Sequence, residues 1–230
     1  MGRALRVDVA DEFYHVINRA NGKRVVFNTS KDYAAFEAIL AEAVEMFDMR
    51  LYVYEIMPNH WHLVVSPRRD GDLARFVGWL TLTHTQRYHV HKGTTGYGHL
   101  YQGRYKSFVV EGDAYFYRVC RYVERNALRA KLVKKAEEWR WGSAWARIYG
   151  SAEQKAMLTD WPGGQPDDYR ESLNEDDDSD EAQEKIEEMR RSVNRGNPFG
   201  SSTWSEKMTA RFHLDTTTRS RGRPRKGGEG

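Results

Sequence analysis

The amino-acid sequence predicts an α+β fold in which helices pack on a ferredoxin-like antiparallel sheet. The predicted elements follow the order strand, helix, strand, strand, helix, strand, which is the order of that fold and predicts helices on one face of the sheet. The second and third strands are separated by too few residues to pair in parallel, so they favour an antiparallel hairpin. A chain of 230 residues that is 40% hydrophobic and 13% aromatic is long and apolar enough for one domain with a substantial core and a smaller appendage.

The first two elements are a strand and an amphipathic helix. Residues 11–19 alternate, are rich in β-forming residues and end at the turn signal Asn21-Gly22. Apolar residues then recur at helical spacing up to about Phe47, with Ser30 as a suitable N-cap. These patterns predict the first strand and the first helix of the sheet.

Two β-rich runs, 51–57 and 61–66, form the predicted hairpin across Pro58-Asn59. The helical spacing of apolar residues returns after the hairpin, and a last β-rich run follows it. In chain order these further elements are a helix from Asp72 to about Val90, a strand over 101–110 and a helix from Asp113, its expected N-cap, to about Ala130.

Charge is distributed unevenly along the chain, although the net charge is only +3. Residues 167–188 hold 12 acidic and 2 basic side chains, whereas residues 189–230 hold 10 basic and 3 acidic ones. An acidic segment thus separates two basic units, and basic units are typical of proteins that neutralise phosphates, although charge runs can also be solvated faces. We expect a main domain over residues 1–150, an acidic linker over 151–193 and a basic tail over 194–230. The acidic segment is expected to be either a mobile linker or an isolated charged helix.

The composition also excludes some classes of protein. Cys120 is the only cysteine, so an internal disulfide and a cysteine-based zinc site are not available. No stretch approaches the roughly 20 apolar residues that span a bilayer, and residues 1–10 have no apolar core of signal-peptide length. We therefore expect a cytoplasmic protein with no membrane partner.

The segment Met57-Pro58-Asn59-His60-Trp61-His62 is the most informative part of the sequence. Alternate side chains of a strand share one face, so His60 and His62 project together while Trp61 points the other way. Two converging imidazoles can begin a divalent-metal site that is completed by oxygen or nitrogen ligands from elsewhere in the fold. Surface or hydrogen-bonded histidines also occur at this spacing, so the spacing alone leaves both interpretations open.

A second informative segment, residues 121–130, lies on the predicted last helix. Tyr122 and Asn126 are four residues apart and therefore share one helix face. A tyrosine near a metal-bound phosphate can attack phosphorus, and an amide oxygen one turn away can supply a third metal ligand. A helical tyrosine with a packing role is the alternative, because the chain has 13 tyrosines.

Taken together, these segments resemble a known family, the single-tyrosine HUH transposases, and especially the REP-associated tyrosine transposases. The resemblance spans most of residues 5–150 and assigns the predicted sheet to the HUH endonuclease and transposase type. The family often has proline after the asparagine that Asn126 matches, where this chain has Ala127. The motifs that carry the resemblance are Tyr14-His15-Val16-Ile17-Asn18-Arg19, Met57-Pro58-Asn59-His60-Trp61-His62, Gln102-Gly103-Arg104-Tyr105-Lys106-Ser107 and Arg121-Tyr122-Val123-Glu124-Arg125-Asn126.

The resemblance implies a Mg²⁺ or Mn²⁺ ion held by His60, His62 and Asn126. It implies that Tyr122 is the nucleophile, which attacks single-stranded or hairpin DNA and leaves a 5′-phosphotyrosine and a free 3′-OH, with rejoining that needs no ATP. His15 is expected to have a supporting or structural role near the site, and Glu55 is a further candidate ligand. Relatives occur as monomers and as homodimers, and a DNA-acting protein is expected at the nucleoid.

Basic residues near the site are candidates for contact with DNA. Arg104, Tyr105 and Lys106 lie in a basic, aromatic strand that could contact phosphates and stack on bases, with plain sheet packing as the alternative. Arg121, next to Tyr122, is a further candidate.

The basic tail predicts an auxiliary DNA contact. A short helix anchored by Trp204, Met208 and Phe212 precedes an Arg-Gly-Arg-Pro ending that is similar to an AT-hook. Extended chains of this kind fit the minor groove of DNA, whereas the alternative is a basic tail that binds any polyanion. The arginines of this ending are Arg221, Arg223 and Arg225.

Two other functions remain open from the sequence. One is a catalytically silent, nucleic-acid-binding regulator derived from such a transposase. The other is a metal-dependent endonuclease that uses water in place of tyrosine. All four candidate catalytic and metal-ligating residues are present, which favours the transposase.

Overall fold

The computed structural model describes residues 6–176 and 179–218 and contains one four-stranded antiparallel sheet. Its strand order is β2-β3-β1-β4, and the order of strands and helices along the chain confirms the predicted ferredoxin-like fold. The strands and first helices are β1 (Phe13–Arg19), α1 (Ser30–Met46), β2 (Arg50–Met57), β3 (His60–Ser66), α2 (Asp72–Lys92) and β4 (Lys106–Val110).

The ends of these elements follow local chemistry. α1 starts one residue earlier than the sequence suggested, because Thr29 is its N-cap: the Thr29 hydroxyl accepts from the Asp32 amide, and the Asp32 carboxylate accepts from the Thr29 amide. Strands β2 and β3 are joined through Pro58 and Asn59, as predicted. β4 is shorter than predicted, since Tyr101 forms only an isolated bridge with Ala20 ahead of the strand.

Helices cover both faces of the sheet, not one face as the element order suggested. Trp61 packs in a core with residues of α1 and α2, whereas Val64 packs in a second core with α3 (Ala114–Glu124). The second face is covered because the chain continues past β4 into α3. His62 lies on that second face, because side chains alternate along a strand.

The helix predicted over residues 113–130 is interrupted. α3 ends at Glu124, Arg125 leaves the helical conformation (φ −91°, ψ 3°), and α4 covers Asn126–Arg129. Asp113 precedes α3 but makes no side-chain cap. Tyr122 and Asn126 therefore lie on either side of a helix break, not on one continuous helix.

The chain beyond residue 150 packs on the same two cores. Met157 and Leu158 join the core under α1 and α2, whereas Trp161 and Phe199 join the core under α3. The division at residues 150 and 193 remains a prediction. The helices of this part are α5 (Ser143–Tyr149), α6 (Ala152–Ala156), α7 (Tyr169–Ser172), α8 (Asp180–Arg195), α9 (Ser202–Arg211) and α10 (Asp215–Thr218).

The charge pattern favoured a mobile linker or an isolated charged helix, whereas helix α8 packs on the sheet domain. It buries Ile186 and Met189 and contacts β4, because these apolar residues share one face of an otherwise charged helix. α9 forms where the tail helix was expected, and Met208 of this helix is buried. In the part of the chain that the structure describes, no helix is both long and apolar enough to cross a membrane.

Candidate active site

Two histidines of β3 share one face, as the alternation of the strand requires. The ring centroids of His60 and His62 are 5.0 Å apart, with 74° between the ring planes. His62 is 3% exposed, and its Nδ1 lies 2.8 Å from Nε2 of His15 on β1. The sequence placed His15 near the site, and the structure puts it directly behind His62.

The hydrogen bonds of Asn59 fix the proton of His60. The Asn59 amide nitrogen donates to the carbonyl of Lys23 (3.0 Å), so its Oδ1 faces Nδ1 of His60 at 2.6 Å as an acceptor. His60 Nδ1 must therefore donate, which leaves a lone pair on Nε2. In the described part of the chain, no hydrogen-bond partner faces Nε2 of either His60 or His62.

Burial keeps the three histidines neutral. It lowers the pKa of His15 to about 3 and, with a smaller effect of Arg19, the pKa of His60 to about 4. The pKa of His62 lies well below its ordinary value because of burial and then of the neighbouring His60. A neutral imidazole is the form that ligates metals, so the rings are in the right charge state at neutral pH.

Tyr122 reaches the histidines from α3. The centroid of its ring is 6.3 Å from that of His62 and 6.3 Å from that of His15, with the ring planes nearly perpendicular. The guanidinium carbon of Arg129 lies 4.4 Å from the centroid of the Tyr122 ring, and Arg129 also donates to the Tyr122 carbonyl. The structure therefore brings the predicted nucleophile, Tyr122, close to His62 and His15, with the guanidinium of Arg129 over its ring.

Asn126 is held at the start of α4 with its oxygen available. Its amide nitrogen donates to the carbonyl of Val123 (3.0 Å) and more weakly to that of Tyr122 (3.3 Å). Because the nitrogen is used in this way, Oδ1 is the atom that could ligate a metal. The backbone amide of the next residue, Ala127, donates to Glu55 Oε1 at 3.3 Å.

Glu55, the further candidate ligand, is buried and opposite His62 in the β2–β3 pairing. Burial, and then the nearby Glu124, hold the pKa of Glu55 well above its ordinary value. A raised pKa disfavours the carboxylate form that ligates a metal, and the Oε1 atom already accepts from the amide of Ala127. Glu55 therefore acts as an anchor for the start of α4.

The site residues that sequence reasoning missed are Glu124 and Arg129. Glu124 is fully buried and accepts from the hydroxyls of Ser143 and Tyr169, which ties α3 to the chain beyond it. No sequence pattern marks this contact. Arg129 stands seven residues after Tyr122, a spacing that returns to the same face of a helix, so this spacing was a usable signal.

A cavity of about 350 Å³ opens beside Tyr122, between α3 and α8. Both basic and acidic side chains line it. The Nε atom of Arg121 donates to the carbonyl of Ser172 (2.7 Å), and Nη1 of Arg125 donates to that of Leu173 (2.9 Å), so the acidic segment is tied to α3. The charged residues in the cavity wall are Arg118, Arg121, Arg129, Lys185, Glu175 and Asp176.

The other predicted DNA contacts are dispersed. Tyr105 is only 8% exposed, and the Arg6 guanidinium carbon lies 3.9 Å from the centroid of its ring, so its ring is already covered. Arg104 is exposed, and Lys106 donates to the side chain of Asn194 (3.2 Å). Arg221, Arg223 and Arg225 lie outside the described residues.

The residues present fit a hard divalent cation with mixed nitrogen and oxygen ligands. Within residues 6–176 and 179–218, no three His, Cys, Asp or Glu side chains are grouped as a metal site would need. The available protein donors are the Nε2 atoms of His60 and His62 and the amide oxygen of Asn126. Imidazole and oxygen donors suit Mn²⁺, and oxygen donors suit Mg²⁺, so these three side chains could hold either ion.

A ferredoxin-like sheet with paired histidines on a central strand and a tyrosine on the helix after the last strand is the arrangement of the HUH class of transposases and nucleases. A sequence model described as "Transposase IS200 like" matches residues 8–126. The chain belongs to this family of IS200-like transposases. The predicted resemblance to single-tyrosine transposases is thereby confirmed.

Several solved structures are similar to this chain, including two that are described as transposases. One, described as a REP-associated tyrosine transposase bound to a REP hairpin, has a TM-score of 0.55 at 12% identity and covers 72% of this chain and 98% of its own. That likeness supports the fold. The other, a structure described as that of a transposase from Deinococcus radiodurans, covers 57% of this chain and 91% of its own at 18% identity, and its TM-score of 0.38 supports no conclusion. No curated protein matches.

Proposed function

We propose that this transposase cleaves and rejoins single-stranded or hairpin DNA through a covalent 5′-phosphotyrosine on Tyr122, with a divalent cation. The observation that carries the proposal is the distance of 6.3 Å from the Tyr122 ring to each of the rings of His15 and His62. At this distance from His62, the phenol of Tyr122 can contact the same phosphate as a cation held by His60 and His62.

His60, His62 and Asn126 are the residues that would hold Mg²⁺ or Mn²⁺. The cation supplies Lewis-acid polarisation of the scissile phosphate. The imidazoles of His60 and His62 are neutral at neutral pH, so they would bind the cation without a cost of deprotonation. The amide nitrogen of Asn126 is already hydrogen-bonded, which leaves its oxygen for the cation.

Tyr122 carries out the covalent step. Its phenolic oxygen attacks phosphorus, a new oxygen–phosphorus bond forms, and the bond to the 3′-oxygen breaks. The phenolic proton ends on the departing 3′-oxygen, so that the products are a 5′-phosphotyrosine and a 3′-OH. Attack by a 3′-OH reverses the step and rejoins strands. Arg129 holds the ring in place by lying over it.

Arg104, Lys106 and Arg121 are the proposed phosphate contacts, whereas Tyr105, whose ring is buried under Arg6, has a packing role. Arg221, Arg223 and Arg225 are proposed as an auxiliary contact in the minor groove. The hairpin in the description of the similar structure supports hairpin DNA as the substrate. We further propose that the protein acts at the nucleoid as a monomer or homodimer.

A labelled hairpin incubated with the full chain and Mn²⁺, then separated on a denaturing gel, tests the proposal. We expect a covalent protein–DNA adduct that is absent for Tyr122→Phe. Free cleaved strands without an adduct would indicate an endonuclease that uses water. A shift on a native gel without cleavage would indicate a silent regulator. An undiminished adduct in Tyr122→Phe would remove Tyr122 from the mechanism.

A further inference from the structure

Each of the two candidate ligand histidines has a polar partner behind it, at Nδ1. His60 has Asn59 at 2.6 Å, and His62 has His15 at 2.8 Å. The partners come from different places: Asn59 is in the β2–β3 turn, and His15 is in the middle of β1. Because both rings are contacted at Nδ1, the opposite nitrogen, Nε2, is the atom that each ring leaves available for a ligand.

The direction of the Asn59 bond follows from the network. The amide nitrogen of Asn59 is used by the Lys23 carbonyl, so only its oxygen can face His60. His60 therefore carries its proton on Nδ1 and its lone pair on Nε2. This tautomer is the one that can bind a cation through Nε2.

His15 has no other evident polar role. It is 0% exposed, and its own Nδ1 is buried without a hydrogen-bond partner in the described part of the chain. Its ring otherwise packs against Phe108, with centroids 5.0 Å apart. A buried imidazole with an unsatisfied nitrogen is costly, and an apolar residue would fill the same space without that cost.

The bond between His15 and His62 can run in two directions. If His62 donates from Nδ1 to His15, the Nε2 atom of His62 keeps its lone pair. If His15 donates, His62 carries its proton on Nε2 and cannot ligate a metal. Only the first direction leaves a lone pair on Nε2 of both His60 and His62. Outer partners that fix the tautomer of metal-ligating histidines are a common feature of metal sites.

We propose that His15 and Asn59 are positioning residues, which accept the Nδ1 protons of His62 and His60 and so hold both Nε2 atoms open for one divalent cation. The inference rests on the metal site of the proposed function. It adds the residues that prepare that site before the cation or DNA arrives.

Isosteric variants separate hydrogen bonding from packing. In His15→Gln the side-chain amide reaches the place of Nε2 and can accept from His62, whereas in His15→Asn it reaches only the place of Nδ1. His15→Phe keeps the ring volume but has no acceptor. We expect Mn²⁺ affinity, measured on the DNA-free full chain by electron paramagnetic resonance, to fall about 10–100-fold in His15→Asn and His15→Phe.

His15→Gln should stay within about threefold of the wild type in Mn²⁺ affinity, because it keeps the acceptor. Asn59→Ala should lose affinity as His15→Phe does. If His15→Phe binds Mn²⁺ as tightly as the wild type, His15 has only a packing role and the inference is overturned. If the wild type itself does not bind Mn²⁺, the metal site of the proposed function is wrong, which is a different result.

Nuclear magnetic resonance of the metal-free wild type tests the tautomer directly and does not depend on whether a variant folds. Long-range ¹H–¹⁵N correlation spectra report which imidazole nitrogen carries the proton. We expect protonated Nδ1 and unprotonated Nε2 for both His60 and His62. A proton on Nε2 of His62 in the metal-free protein would overturn the assignment of His15.

Discussion

Trp61 and His62 are neighbours on β3, yet they belong to opposite faces of the sheet with different chemistry. On the Trp61 face, α1 and α2 close an aromatic core, and the indole N–H donates to Tyr101 (3.0 Å). On the His62 face, His15 and Glu55 are buried close to the tyrosine helix. Both faces hold a hydrophobic core, but only the His62 face also carries the buried polar groups to which we assign the chemistry.

The largest expected effect concerns the His62 face. His62→Ala should lower formation of the covalent adduct by about 10³-fold or more, because it removes a proposed metal ligand. Affinity for the hairpin should stay within about threefold, since that affinity comes mainly from phosphate contacts. Quantified adduct on denaturing gels and a filter-binding titration measure the two quantities. Equal losses of adduct and of affinity would mean that His62 serves binding.

The matched change on the opposite face should affect stability instead. Trp61→Ala should lower the free energy of unfolding by about 3–5 kcal/mol, because it leaves a large cavity between the sheet and α1. Adduct formation per folded molecule should be unchanged. Urea denaturation gives the first quantity. If the alanine variant does not fold, Trp61→Phe is the substitute, and a loss of activity in that folded variant would contradict the separation of the faces.

The pH dependence of stability should also come from the His62 face. The pKa of Glu55 is raised in the folded protein, so the folded state binds more protons than the unfolded state between the two pKa values. Its contribution is complete below the unfolded pKa and is lost as pH rises through the folded pKa. The loss is up to about 1.4 kcal/mol for each pH unit in that window.

Glu55→Gln keeps the acceptor for the Ala127 amide and removes the titration. The lowered pKa values of His15, His60 and His62 raise stability with pH in the variant and the wild type alike. We therefore expect the unfolding free energy of Glu55→Gln to fall less, or to rise more, from about pH 5 to about pH 8 than that of the wild type, as measured by urea denaturation at a series of pH values. Identical profiles would show that Glu55 does not govern this dependence.

The smallest expected effect concerns the acidic residues in the cavity wall beside Tyr122. Glu175→Gln with Asp176→Asn should raise hairpin affinity about two- to fivefold at low salt, because two negative charges leave a cationic surface, and the gain should shrink as salt is added. Glu42→Gln is the control, since Glu42 pairs with Arg87 at 2.8 Å on helices of the opposite face. A similar gain in the control would indicate a general effect of net charge.

The sequence predicted the order of the elements, and it placed the two halves of the candidate site on β3 and on the helix after β4, because strand alternation and helical spacing are local properties. It did not predict that Arg125 interrupts the tyrosine helix. It also treated residues 151–193 as a linker, although Tyr169 and Leu173 are buried against α3. In a charged segment, a few apolar residues give little pattern, and their burial depends on a surface formed by distant parts of the chain.

The sequence by itself determined that His60 and His62 share a face opposite to Trp61, because the pleat of a strand fixes the direction of each side chain. Only the tertiary structure decided that His15 lies behind His62 and that the Tyr122 ring lies 6.3 Å from both. The physical reason is that side-chain direction depends on neighbouring backbone angles, whereas contacts between residues far apart in the chain depend on how the sheet and α3 pack together.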